Sequence, residues 1–123
     1  MPRGSDKNKA PSQRQLQVGE ELRHIISETL QRGGFDDPAL MDGNGITVAE
    51  VKVAPDMKNA TAYVMTLGGR DINVVIPALN DAVAHFHHDI SRKLRMKFMP
   101  RLKFVEDTSF AYAERIDNLL KQT

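Results

Sequence analysis

The chain has no cysteine and no tryptophan. Without cysteine it cannot form disulfides, thiolate zinc sites or a cysteine nucleophile, and a reducing, cytoplasmic location is expected. Aromatic residues make up 6% of the chain, and no solvent-facing aromatic array is visible for reading bases by stacking. No run approaches the roughly eighteen apolar residues of a membrane helix, so no membrane partner is expected. The opening MPRGSDKNKAPSQRQ lacks the apolar core of a secretory signal. Gly68-Gly69 is not followed by the Gly-Lys-Ser/Thr of a phosphate-cradling loop, and the serines have no nucleophile-elbow context.

What is present is a chain of 123 residues, 41% of them hydrophobic, enough for one domain with one core. The net charge of +1 conceals segregation. Arg3, Lys7, Lys9 and Arg14 face only Asp6 at the start, while residues 36 to 56 hold Asp36, Asp37, Asp42, Glu50 and Asp56 against Lys52. Residues 1–16 are polar and basic, and the expectation is a disordered arm followed by a domain over 17–121.

From Val18 the period becomes helical: Val18, Leu22, Ile25, Ile26, Thr29 and Leu30 share one face, and Gly33-Gly34 ends the helix. GITVAEVKVAPD and KNATAYVMTL read as two antiparallel strands. In the first, Ile46 and Val48 share one parity and Val51 and Val53 the other, so either both faces of the strand are covered or a bulge near Ala49-Glu50 resets the register, and the bulge is favoured. Leu79, Val83, Phe86, Ile90, Leu94 and Phe98 advance by three or four, as in one long helix or two joined ones. Pro77 is expected in its first turn and Pro100 at its end. RLKF predicts a third strand with Leu102 and Phe104 inward, and DTSFAYAERIDNLL a last helix. The expected fold is α+β, a three-stranded sheet with helices on one face.

A catalytic reading finds little support. His85 and Asp89 would share a helical face, as metal ligands must, but His87 lies about 160° around the helix and only His24 remains elsewhere. The expectation is no metal and no cofactor, with His85 and His88 exposed and His87 at the edge of the apolar stripe. Glu106 and Asp107 would point to opposite faces of a strand, so they form no carboxylate dyad. The chain reads as a non-enzyme.

The strongest feature is RKLRMKFMPRLKF, in which Arg92, Lys93, Arg95, Lys97, Arg101 and Lys103 stand without a compensating acid. The run joins a helix end to a strand, so its six charges come within a short reach. That pattern favours contact with phosphate backbone over an ordinary solvated face. Arg70 and the basic arm are weaker candidates. Docking on a folded RNA by charge and shape is the expected mode.

An α-β-β-α-α-β order with a basic helix is also that of the type II KH fold, yet the Gly-x-x-Gly clamp of that fold occurs nowhere in this chain. VKVAPDMKNATAYV, LRMKFMPRLKFVEDTS and RIDNLL together resemble the ribosome-binding factor A family from about Gln15 to Leu120. The resemblance implies a KH type II-like single domain with a C-terminal helix and a helix kink in place of the Gly-x-x-Gly loop. The kink would fall at Ala82, Val83 and Ala84, where the family usually has Ala-x-Gly. Alanine favours helix over glycine by about 1 kcal/mol, which acts against a sharp bend. The resemblance further implies a monomer that binds free or immature small (30S) ribosomal subunits and 16S rRNA. It would assist late maturation and 5′-end processing without cleaving, with importance at low temperature. The alternative reading is a generic KH-like module for single-stranded RNA.

Overall fold

The computed structural model describes residues 10–41, 45–97 and 99–108. The elements run α1 (Gln13–Arg32), β1 (Thr47–Val53), β2 (Asn59–Met65), α2 (Ile72–Asp81), α3 (Val83–Lys93) and β3 (Arg101–Glu106). Short 3-10 turns at Pro38–Leu40 and Leu67–Gly69 lie between them. The sheet order is β1-β2-β3, with β2 antiparallel to β1 and parallel to β3. A parallel return needs a crossover, and α2 and α3 provide it. The expected C-terminal helix lies outside the described residues.

The helix α1 begins four residues inside the stretch expected to be disordered. Ser12 and Gln15 form a capping box: Gln15 N–H donates to Ser12 Oγ at 3.1 Å and Ser12 N–H to Gln15 Oε1 at 2.9 Å. Two orphan amides are thereby satisfied, which offsets the polar composition of this turn. Gln15 also donates to the Val53 carbonyl at 3.0 Å and ties the helix start to β1. One turn on, a Cβ at Gly19 would stand 2.5 Å from the Val51 carbonyl oxygen, so the helix lies directly on the strand backbone. Gly33 (φ 76°) ends α1, with its N–H on the Thr29 carbonyl.

The parity switch in β1 is a bulge. The register slips between Val48 and Glu50, leaving Val48, Val51 and Val53 all buried. Val64, Ala62 and Ala60 of β2 and Leu102 and Phe104 of β3 complete the inner face. Helix residues Leu22, Ile26, Leu79, Phe86 and Ile90 cover it. Phe86 is the hub, its ring centroid 5.3 Å from Phe35 and 4.8 Å from Phe104.

Two boundaries differ from expectation. The crossover helix starts at Ile72, with Asp71 in the left-handed region (φ 56°), so Pro77 sits inside α2 rather than in its first turn. And α3 stops at Lys93, because Leu94 is already extended (φ −127°, ψ 120°). Pro100 therefore precedes β3 instead of closing the helix.

One side chain secures the outer edge of the sheet. Asn80 in α2 accepts from Phe104 N–H at 2.9 Å and donates to Phe104 C=O at 3.0 Å, occupying the place of a further strand. It also donates to the Ile76 carbonyl at 3.2 Å.

Candidate nucleic-acid interface

The basic run acquires its geometry from a change of period. Up to Lys93 the chain is helical, and Arg92 and Lys93 occupy the last turn of α3, where the helix dipole favours cations. From Leu94 to Lys97, and again from Pro100 to Phe104, inward and outward positions alternate. Leu94, Met96 and Met99 pack against the core, Pro100, Leu102 and Phe104 are buried or nearly so, and Arg95, Lys97, Arg101 and Lys103 project into solvent. The methionines are thus the inner side of an extended ribbon and the cations its outer side. Phe98 lies outside the described residues.

Not every cation is equally available. Lys93 Nζ pairs with Glu28 on α1 at 2.9 Å. That hydrogen bond, reinforced by the charge of Lys93, holds the Glu28 carboxyl below its ordinary range. Among the described residues, Arg92, Arg95, Arg101 and Lys103 form no ion pair. Arg70 is exposed beyond the C-terminal end of β2, whereas Arg101 pairs with Asn59 at the strand's other end. Six strand steps, about 20 Å, separate the two ends, so Arg70 stands apart from the others. The arm residues 1–9 lie outside the described residues.

The fold adds two cations that the linear sequence did not associate with the run. Arg101 N–H donates to the Lys58 carbonyl at 2.8 Å, bringing the exposed Lys58 of the β1–β2 turn beside Arg101. Lys52 of β1 lies across Thr61 from Lys103 on the outward side of the sheet. The solvent side of α1 carries both signs, and Lys93 reaches its edge. Glu20, Glu21 and Glu28 line a shallow groove on the solvent side of α1, with Leu16 and His24. A hydrogen bond and ion pair with Arg23 holds the Glu20 carboxyl below its ordinary range.

The histidine cluster has a structural explanation. His85 is half-buried rather than exposed, stacked on Phe35 with centroids 4.4 Å apart. Asp89 is 6% exposed and accepts from Thr29 Oγ1 at 2.8 Å and from Arg32 at 2.7 Å. Burial pushes its carboxyl up, but the Thr29 hydroxyl, the Arg32 guanidinium and His85 outweigh that and hold it below its ordinary range. The carboxylate is committed to joining α1 and α3. His87 is half-buried and His88 exposed.

Between α2 and α3 the helix breaks at Ala82 (φ −95°, ψ 14°), whose N–H is shared by the carbonyls of Ala78 and Leu79. Val83 is half-buried and Ala84 exposed, and both already belong to α3. The break thus occupies one residue. The α-β-β-α-α-β order, the parallel β2–β3 pair and a helix junction without Gly-x-x-Gly define a KH type II-like domain with a modified junction. The sequence model of the family described as ribosome-binding factor A matches residues 14–120. The chain belongs to the ribosome-binding factor A family. It is 50% identical over 120 residues to ribosome-binding factor A of Paramagnetospirillum magneticum, covering 98% of this chain and 82% of that one. With that of Rhodospirillum rubrum it is 45% identical, covering 98% and 71%.

Solved structures agree. The crystal structure of ribosome-binding factor A from Thermus thermophilus superposes with a TM-score of 0.65 at 25% identity, covering 75% of this chain and 93% of that one. A homology model of Thermus thermophilus ribosome binding factor A, as fitted into the cryo-EM map of its 30S complex, gives a TM-score of 0.56 at 25% identity, covering 71% and 88%. Among the described residues, no helix is long and apolar enough to cross a membrane.

Proposed function

We propose that the chain is a non-catalytic assembly factor that binds free and immature 30S subunits as a monomer in the cytoplasm. Contact with 16S rRNA falls to Arg92, Arg95, Lys97, Arg101 and Lys103, with Lys93 adding charge while tied to Glu28. The factor assists late maturation of the subunit and 5′-end processing of its rRNA, most of all at low temperature. The observation that carries this reading is the basic run on either side of Phe98, over residues 94–97 and 99–104. Its apolar side chains are anchored in the core, so its cations are held outward on a rigid base. Pre-ordered cations lose little side-chain freedom on meeting phosphate. The relative seen in a 30S complex supports the choice of partner. Arg70, standing apart, contributes to a separate contact or none.

Co-sedimentation of the pure protein with isolated small subunits, and separately with intact ribosomes, tests the proposal. Binding to free subunits alone, weakening with salt, is the expected result. Equal binding to both, or to neither, refutes it.

A further inference from the structure

The side of the sheet that faces away from the helices is a surface of its own. Its side chains follow from the register. Lys52, Thr61 and Lys103 form one cross-strand row, Glu50, Tyr63 and Val105 the next along β2, and Asn59 and Arg101 a third on the other side. Lys52, Arg101 and Lys103 are exposed, and Tyr63 and Thr61 are half-buried. Neighbouring strands lie about 4.8 Å apart, so Lys52 and Lys103 flank Thr61 at a separation of about 10 Å. Tyr63 is about 7 Å further along the central strand. Lys52 Nζ stands 5.4 Å from the centroid of the Tyr63 ring.

We infer that this sheet face takes an unpaired stretch of RNA, with one base stacked on Tyr63 and Lys52, Arg101 and Lys103 on the flanking phosphates. The inference rests on the reading of the chain as an rRNA-binding factor and specifies the form of RNA it takes. Three features of the face favour this ligand. A lone aromatic ring at the centre of a flat sheet offers a stacking partner to any base, since every base has a π-face. The ring already holds a cation, and a nucleotide satisfies both groups together, its base on Tyr63 and its phosphate on Lys52. Three cations against one acid give the face charge complementary to a polyanion, and Glu50, opposite Tyr63, keeps the phosphates to the Lys52–Lys103 row and Arg101. A duplex cannot use this arrangement, because its bases are stacked on each other.

Equilibrium binding of the full chain to a labelled single-stranded oligoribonucleotide of about twelve nucleotides, and to a duplex RNA of equal length, tests the inference. The wild type is expected to prefer the single strand. Tyr63→Ala should weaken that binding about 5- to 150-fold without changing its salt dependence, and Tyr63→Phe should stay within about twofold of wild type. Should Tyr63→Ala fail to fold, Tyr63→Thr keeps strand propensity and is expected to show the same loss. Glu50→Gln should tighten binding. Wild-type affinity in a folded Ala or Thr variant, or a preference for the duplex, overturns the inference. Co-sedimentation with small subunits separates the two readings. If subunits bind but Tyr63 variants match wild type on the single strand, only the sheet-face inference fails. If Tyr63 governs single-strand binding but no subunit sediments, only the subunit reading fails.

Discussion

Replacing Arg92, Arg95 and Arg101 together by Gln should change the salt dependence of small-subunit binding more than it changes the fold. Each phosphate neutralised contributes about 0.7 to 0.9 to the slope of log affinity against log salt. Arg92, Arg95, Arg101 and Lys103 are the exposed cations of the run that make no ion pair among the described residues. If each of these and Lys97 meets one phosphate, the slope is about −3.5 to −4.5, and a rise from about 50 to about 200 mM salt weakens binding about 130- to 500-fold. The triple variant keeps Lys97 and Lys103, and the same rise should weaken it only about 7- to 12-fold. The three arginines are exposed and the ribbon is held by Leu94, Met96, Met99 and Leu102, so the thermal midpoint should stay within a few degrees. Sedimentation binding at graded salt, with circular dichroism on the same samples, gives both quantities. An unchanged slope in a folded variant would refute the assignment of these cations to phosphate.

Other consequences concern the fold that carries the site. Asn80→Ala strips partners from both backbone groups of the buried Phe104 and should cost about 2–4 kcal/mol, read as a lower urea midpoint with unchanged m-value; a loss under about 0.5 kcal/mol would dismiss the edge-pairing account. Gly19→Ala gains about 1 kcal/mol of helix propensity but drives a methyl into the Val51 carbonyl. Net destabilisation in urea is expected, and a stabilised variant would contradict the close approach. Asp89 has its carboxyl lowered in the folded state, so its contribution is complete above the ordinary carboxylate range and fades as pH falls through the depressed folded value. Asp89→Asn should flatten the acid limb of the stability–pH curve, and an unchanged limb would exclude the Thr29–Asp89–Arg32 cluster as its source.

Much of the architecture could be read from local pattern. The bulge followed from Ile46–Val48 and Val51–Val53 having opposite parity, because only a register slip buries both pairs on one face. The outward cations of β3 followed from alternation with Leu102 and Phe104. Reasoning from composition failed at the start of α1, where the Ser12-x-x-Gln15 capping box overrides a polar context and lay unused in the sequence. It failed again at Pro77 and Lys93, where tertiary packing rather than proline sets the helix ends. The isolation of Arg70, and the arrival of Lys52 and Lys58 beside the run, depend on which strands neighbour which. Tyr63 escaped notice because a single tyrosine says nothing of its side of a sheet until the register is known.

The uneven placement of charge has a consequence for the way the molecule meets a polyanion. Glu20, Glu21 and Glu28 of α1 are balanced in number by Arg14, Arg23 and Arg32 of the same helix, whereas the outer face of the sheet that α1 covers from within bears Lys52, Arg101 and Lys103 against Glu50. A polyanion exerts a torque on such a molecule, turning it before contact so that encounters begin with the cationic side leading. A copy seated that way turns a helix of balanced charge outward, which adds little attraction for further phosphate.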